Sequence, residues 1–255
     1  MEVAFYIGSF PIRWYGIMIA LAAIAAIILS IIETKRRGET TEHVLNAALF
    51  IVPPAIIGAR LYHVIDEWAF YSQNPRLIFG GAGLGIFGAI AGGIIGLLIY
   101  SKWKKLDALR GLDICAPGII LAQAIGRWGN FFNQELYGYP SDLPWAIYID
   151  PNHRLPGYKA FSYFHPLFLY ESLWDFLGCF FLLFLGRKFG HRLLSGDIFF
   201  IYVIYYSIGR FFLEGLRINK WTIASVPTAR WTCSIAIVAS IAAIVYRRYR
   251  CCHTV

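Results

Sequence analysis

Gly126-Arg127-Trp128-Gly129-Asn130-Phe131-Phe132-Asn133-Gln134-Glu135-Leu136-Tyr137-Gly138 closes a long apolar run. An arginine, two asparagines, a glutamine and a glutamate therefore stand where an apolar helix meets an aqueous face. Continued as a helix, Gln123, Arg127, Asn130 and Gln134 fall at steps of four, three and four, on one face. A charge at that depth is costly and marks function when it faces a cavity or a partner. Arg127 alone would read as a helix-end arginine snorkelling to the headgroups. A whole polar stripe is not explained that way.

The rest of the chain agrees that this helix crosses a membrane. Of 255 residues, 58% are hydrophobic and only 15% charged, where a soluble domain carries about a quarter charged. The fold class expected is all-α and integral to the membrane, about seven transmembrane helices with a small external head, in a single domain over 1–255. The net charge of +8 lies in short basic blocks between apolar runs, which is what membrane orientation produces, so no nucleic-acid partner is implied. Five cysteines show no metal or disulfide spacing. The first apolar run lacks a basic leader and a small-residue cleavage site, and reads as a retained span.

A span needs about 20 apolar residues. The runs fall near 14–32, 44–65, 83–100, 112–132, 166–185, 197–213 and 229–246. Pro53-Pro54 predicts a kink in the second. Gly88, Gly92 and Gly96 give the third a small face for close helix contact. Residues 133–165 hold four prolines and form the external head, with Trp145–Ile149 a candidate strand. Basic blocks at 35–37, 102–105, 187–192 and 247–250 all fall on one side. That side is the cytoplasm, so the N-terminus and the head are outside.

With this topology, Arg127 and Arg210 both lie roughly 20 Å from the cytoplasmic ends of their spans. Tyr206, Arg210 and Glu214 share a helix face, and Arg217 follows. Tyr15 and the glycine-rich stretch Gly80–Gly93 open their spans at the same surface. Two arginines at one depth need an anion. Glu135 and Glu214 supply it in a structural network; a lipid phosphate supplies it in a functional one, and the planar guanidinium fork suits phosphate. His165-Pro166-Leu167-Phe168-Leu169-Tyr170-Glu171 opens the fifth span and is accounted for as a helix start, with proline at the first position.

The pattern Gly126-Arg127-x-Gly129-Asn130-Phe131-x-Asn133-x-Glu135-x-x-Gly138 resembles the signature of the prolipoprotein diacylglyceryl transferase family. Trp14-Tyr15-Gly16, Gly58-Ala59-Arg60, His165-Pro166-x-x-Leu169-Tyr170-Glu171 and Tyr206-x-x-x-Arg210-x-x-x-Glu214 are similar to other stretches of that family. The resemblance implies a bacterial cytoplasmic (inner) membrane enzyme. Such an enzyme moves the diacylglyceryl group of phosphatidylglycerol to the thiol of the lipobox cysteine in a prolipoprotein signal peptide, amid membrane lipids, releasing glycerol 1-phosphate. No metal and no dissociable cofactor are implied. Arg127 carries over as phospholipid-binding, with Tyr15, Asn130, Glu135, Gly138, Arg210 and Glu214 as site residues. Asn133 and His165 join the substrate-binding candidates and Tyr206 the catalytic ones.

One position departs from the pattern. Many members carry histidine, or in some tyrosine, where this chain has Phe87, which cannot exchange a proton. The expected mechanism is attack of the thiolate on the glycerol carbon bearing the phosphodiester. Arg127 and Arg210 hold the phosphate, Glu135 and Glu214 hold the arginines, and no single residue serves as an indispensable base. The alternative is a non-catalytic lipid-binding protein or transporter. The lack of repeated halves, and polar residues collected at one level, count against it.

Overall fold

A computed structural model describes the chain apart from residues 1, 81, 82, 84, 219, 224, 225, 254 and 255 and the side chains of 10, 79, 80 and 223. Seven helices in it are long and apolar enough to cross a membrane. A hairpin of β1 (Val3–Ile7) and β2 (Phe10–Arg13), which sequence reading did not pick out, runs directly into α1 (Trp14–Arg36). Then come α2 (Glu42–Asp66), two short turns α3 (Trp68–Tyr71) and α4 (Leu77–Gly80), α5 (Ile86–Lys104) and α6 (Ala108–Phe132). β3 (Ile147–Tyr148) and β4 (Tyr163–Phe164) belong to the head. α7 (Leu167–Lys188), α8 (Asp197–Leu213), the small hairpin β5 (Thr222–Ile223) and β6 (Val226–Pro227), and α9 (Thr228–His253) complete the chain. The basic blocks extend several helices by a turn, because Lys and Arg are good helix formers and suit a C-terminal dipole.

Packing divides the chain into two compact units, residues 31–111 and residues 1–30 with 112–255. In the first, α2 lies against α5 along the glycine face. A Cβ at Gly88, Gly92 or Gly96 would stand 2.0–2.1 Å from the carbonyl oxygens of Gly58, Pro54 and Phe50 respectively. α2 continues as helix through Pro53 and Pro54. Pro54 has no N–H to give the Phe50 carbonyl, and it is that oxygen which meets Gly96. Gly92→Leu is therefore expected to lower the unfolding temperature in detergent, because backbone, not a flexible side chain, must retreat. Unaltered melting would mean that the two helices do not touch there. Phe87, at the start of α5, is exposed beside Tyr62. Of the expected glycine-rich opening, positions 81, 82 and 84 lie outside the described residues.

In the second unit, Ala116, Ile120, Cys179, Leu182, Ile198 and Tyr202 form the buried centre of α6, α7 and α8. Gly118 of α6 sits against α1, where a Cβ would be 2.7 Å from the Ala26 carbonyl. Two buried aspartates anchor the start of α8. Asp113 accepts from the Gly196 and Phe199 amides at 2.6 and 2.8 Å, and Asp197 pairs with Arg247 and Arg248 of α9 at 3.3 and 2.9 Å.

The head has its own small core of Tyr137, Ile149 and Phe164. Of the expected strand only Ile147–Tyr148 forms, paired antiparallel with β4. Single bridges add Pro140 to Phe164 and Gly138 to Arg217. The Tyr137 hydroxyl donates to the His153 carbonyl and accepts from the Leu155 amide. Burial pushes this phenol above its usual value.

Candidate functional site

α6 carries Arg127 and Asn130 on its last turns and stops at Phe132. The predicted stripe holds as far as Asn130 and then breaks. Gln134 adopts a left-handed backbone (φ 50) and Leu136 another (φ 56), each costing roughly 1–3 kcal/mol for a residue with a side chain. The Gln134 side chain is thereby turned to the head, accepting from the Asp150 amide at 2.6 Å. At the other end of the stripe, Gln123 accepts from the Tyr202 hydroxyl.

The same turn corrects the expected pairing of Glu135 with an arginine. Glu135 is folded back over the end of α6, where its exposed carboxylate accepts from the Asn130 amide at 2.8 Å and the Asn133 amide at 3.4 Å. Asn130 and Asn133, both buried, thus position Glu135. Tyr15 joins them from α1. Its ring covers Gly129, where a Cβ would be 2.7 Å from the ring, and it stands within electrostatic reach of Glu135 and Arg127.

The acid that does hold the arginines is Glu171, on the first turns of α7. Its Oε2 lies 2.9 Å from Arg127 Nε. Its Oε1 accepts from Arg217 Nη2 at 3.1 Å and lies 3.7 Å from Arg210 Nη1. Arg127 Nη2 also donates to the Tyr206 hydroxyl at 3.4 Å. Glu214 Oε2 sits 2.7 Å from Arg210 Nη1 and 3.8 Å from Arg217 Nε. So α6, α7, α8 and the turn after α8 bring three guanidiniums around two buried carboxylates. The contacts are close but not linear. Arg210 Nη1 and Arg217 Nε are sealed from solvent, yet complete no hydrogen bond among the described residues. Burial pulls the Arg217 guanidinium below its usual value, with the Glu171 carboxylate opposing that shift.

Gly138 matters through its backbone. A side chain there would meet His165 at 2.8 Å and the Leu216 carbonyl at 2.9 Å, and this close approach brings Arg217 alongside the head. His165 is taken up by Tyr170, Nδ1 to hydroxyl 3.2 Å, and Tyr170 in turn accepts from the Trp145 indole. A cavity of about 350 Å³ opens between Asn133, Glu135, His153, Arg217 and Ile218.

Sequence reading weighed Glu171 only among candidate bases and noted Arg217 only as following Glu214, and counted neither among the site residues. The helix-start explanation absorbed Glu171, because its partners lie 39 to 46 residues away in the chain. Asp175 was missed altogether. It lies one turn beyond Glu171, 2% exposed, and its Oδ2 accepts no hydrogen bond among the described residues. The available signal was a second acid inside an apolar run, four residues after the first.

A family model described as prolipoprotein diacylglyceryl transferase matches residues 2–246. Among curated relatives, the chain is similar to three proteins named phosphatidylglycerol–prolipoprotein diacylglyceryl transferase. That of Chloroflexus aggregans is 43% identical over 86% of this chain and 77% of its own. That of Ligilactobacillus salivarius is 40% identical over 97% and 93%. That of Clostridioides difficile is 42% identical over 96% and 94%. With the match running over nearly its whole length, this chain belongs to the prolipoprotein diacylglyceryl transferase family.

Proposed function

We propose that this chain transfers the diacylglyceryl group of phosphatidylglycerol to the thiol of a prolipoprotein's lipobox cysteine, at the arginine cluster of α6 and α8. The observation that carries this reading is three guanidiniums, of Arg127, Arg210 and Arg217, held at two buried carboxylates, with Arg210 Nη1 and Arg217 Nε sealed from solvent and completing no hydrogen bond among the described residues although Glu214 Oε2 lies 2.7 and 3.8 Å away. Buried donors are normally satisfied, and a phosphodiester offers the anionic oxygens that planar guanidinium forks bind best. The thiolate attacks the glycerol carbon that bears the phosphate. A carbon–sulfur bond forms, the carbon–oxygen bond breaks, and its electron pair leaves with glycerol phosphate. Arg127, Arg210 and Arg217 bear the charge that develops on that leaving group, the dominant contribution in such transfers. Glu171 and Glu214 hold the arginines in register, while Tyr15, Asn130, Asn133 and Glu135 line the headgroup side. The two packed units act as one transferase domain, with 133–165 as its head.

The test is thioether formation from phosphatidylglycerol and a lipobox peptide in detergent, with Arg127→Ala alongside. A product from the wild type that Arg127→Ala does not form is expected. Equal yields from both would overturn the assignment.

The site faces outward in a bacterial cytoplasmic membrane on this reading. The basic ends of α1, α5, α7 and α9 support a cytoplasmic location for those ends. In a background lacking the other native cysteines, a cysteine placed singly at Ser141 should react with an impermeant thiol reagent added to intact cells, and Cys252 kept singly should react only after lysis. (Thr254, the next convenient tail position, lies outside the described residues.) Labelling of both in intact cells would overturn this arrangement.

A further inference from the structure

We propose that Arg230, on the first turn of α9, is a further phosphate-binding residue of this site and fixes affinity for the anionic headgroup; this rests on the transferase reading above. Four observations converge on it. Its Nε is sealed from solvent and has no hydrogen-bond acceptor among the described residues. No carboxylate pairs with it there, in contrast to Arg127, Arg210 and Arg217. Its guanidinium is held across the ring of Phe211, 5.3 Å from the centroid, on the turn of α8 that carries Arg210. It also reaches the chain directly after Glu214, with Nη2 3.3 Å from where a Cβ on Gly215 would stand.

The position is electrostatically unfavourable unless an anion arrives. A helix start carries the positive end of the helix dipole and exposes its own N–H groups, so a cation there is repelled. Arg230 adds to that field. Charge balance points the same way. Glu171 and Glu214 are buried and already pair with Arg127, Arg210 and Arg217; Asp175 makes no ion pair with them among the described residues, and Glu135 stands exposed on its asparagines. Arg230 adds a positive charge that neither of these carboxylates takes up, with the Lys220 ammonium also close by on the Gly215 carbonyl at 3.0 Å, and a phosphodiester brings a negative one. Phe211 supports the planar face while leaving the edge N–H groups to an acceptor, the arrangement in which arginine binds phosphate most tightly.

A phosphate could come from the substrate lipid or from any headgroup at the membrane surface, to which a helix-end arginine would snorkel. The two are separated by measuring transfer in mixed micelles that hold a fixed, excess fraction of phosphatidylserine, while phosphatidylglycerol is varied. Arg230→Gln is expected to raise KM for phosphatidylglycerol roughly tenfold or more, the loss of one charge-assisted hydrogen-bonding group, with a smaller fall in kcat. Arg230→Lys should lie between, keeping the charge but not the fork. Should Arg230→Gln fold poorly, Phe211→Leu leaves the charge and removes its support, and is expected to raise KM to a lesser degree. A wild-type KM in the folded variants would assign Arg230 to bulk headgroups and overturn the proposal. A wild-type enzyme that forms no thioether would instead refute the underlying transferase reading.

Discussion

Arg127→Lys is expected to cut diacylglyceryl transfer by roughly 30- to 1000-fold, corresponding to about 2–4 kcal/mol of charge-assisted hydrogen bonding to a desolvated phosphate. Lysine retains the charge, so a purely electrostatic role would spare most activity. The fork is what is lost: Nε holds Glu171 and Nη2 reaches Tyr206, and an ammonium cannot span both. Arg210→Ala should fall comparably, since its Nη1 stands between Glu171 and Glu214. His165→Ala serves as the contrast. Its ring is engaged with Tyr170, so a much smaller loss is expected. A loss as deep as that of Arg127→Lys, relieved at high pH in a folded variant, would make His165 the base for the thiol. Turnover with purified variants, alongside a check of membrane insertion, decides among these outcomes. Near-full turnover of Arg127→Lys would remove the bidentate phosphate role.

Glu171→Ala should have the largest effect on stability. Removing one partner of a buried ion pair costs about 3–5 kcal/mol, because the remaining charges are left unpaired. Here one carboxylate faces three guanidiniums, whose side chains are 15–19% exposed. The unfolding temperature in neutral detergent is expected to drop. Phosphatidylglycerol should restore part of it, and phosphatidylcholine should restore less, because the zwitterion brings its own cation with its phosphate. A variant as stable as wild type without lipid would show that Glu171 does not bind the cluster together.

The membrane architecture was legible because it depends on composition and period. Apolar runs of the right length, ended by basic blocks, define seven spans almost to the residue at Trp14, Phe132 and Asp197. The glycine face on α5 was equally local, a repeat every four residues. Arg127, Arg210 and Glu214 were legible as charges out of place in apolar runs. What escaped was pairing across the chain. Nothing local tells Arg127 to choose Glu171 over the nearer Glu135; that choice is made by a left-handed turn at Gln134 and Leu136, in residues whose types do not announce it. The β1–β2 hairpin was missed for a related reason. Its strands are too short, and its Gly8 turn too close to an apolar span, for period-two alternation to stand out.

The packing of α1 also sets a timetable. Ala26 and Gly118 touch, yet residues 31–111, a separate compact unit, emerge from the ribosome between them. At roughly 5–20 residues per second, α1 waits on the order of ten seconds in the bilayer before its partner is made. During that wait the α2–α5 pair can close on its own, while Tyr15 has no Gly129 to cover and its end of α1 faces lipid. The proposed site is thus assembled last, only after both earlier helical pieces have been inserted.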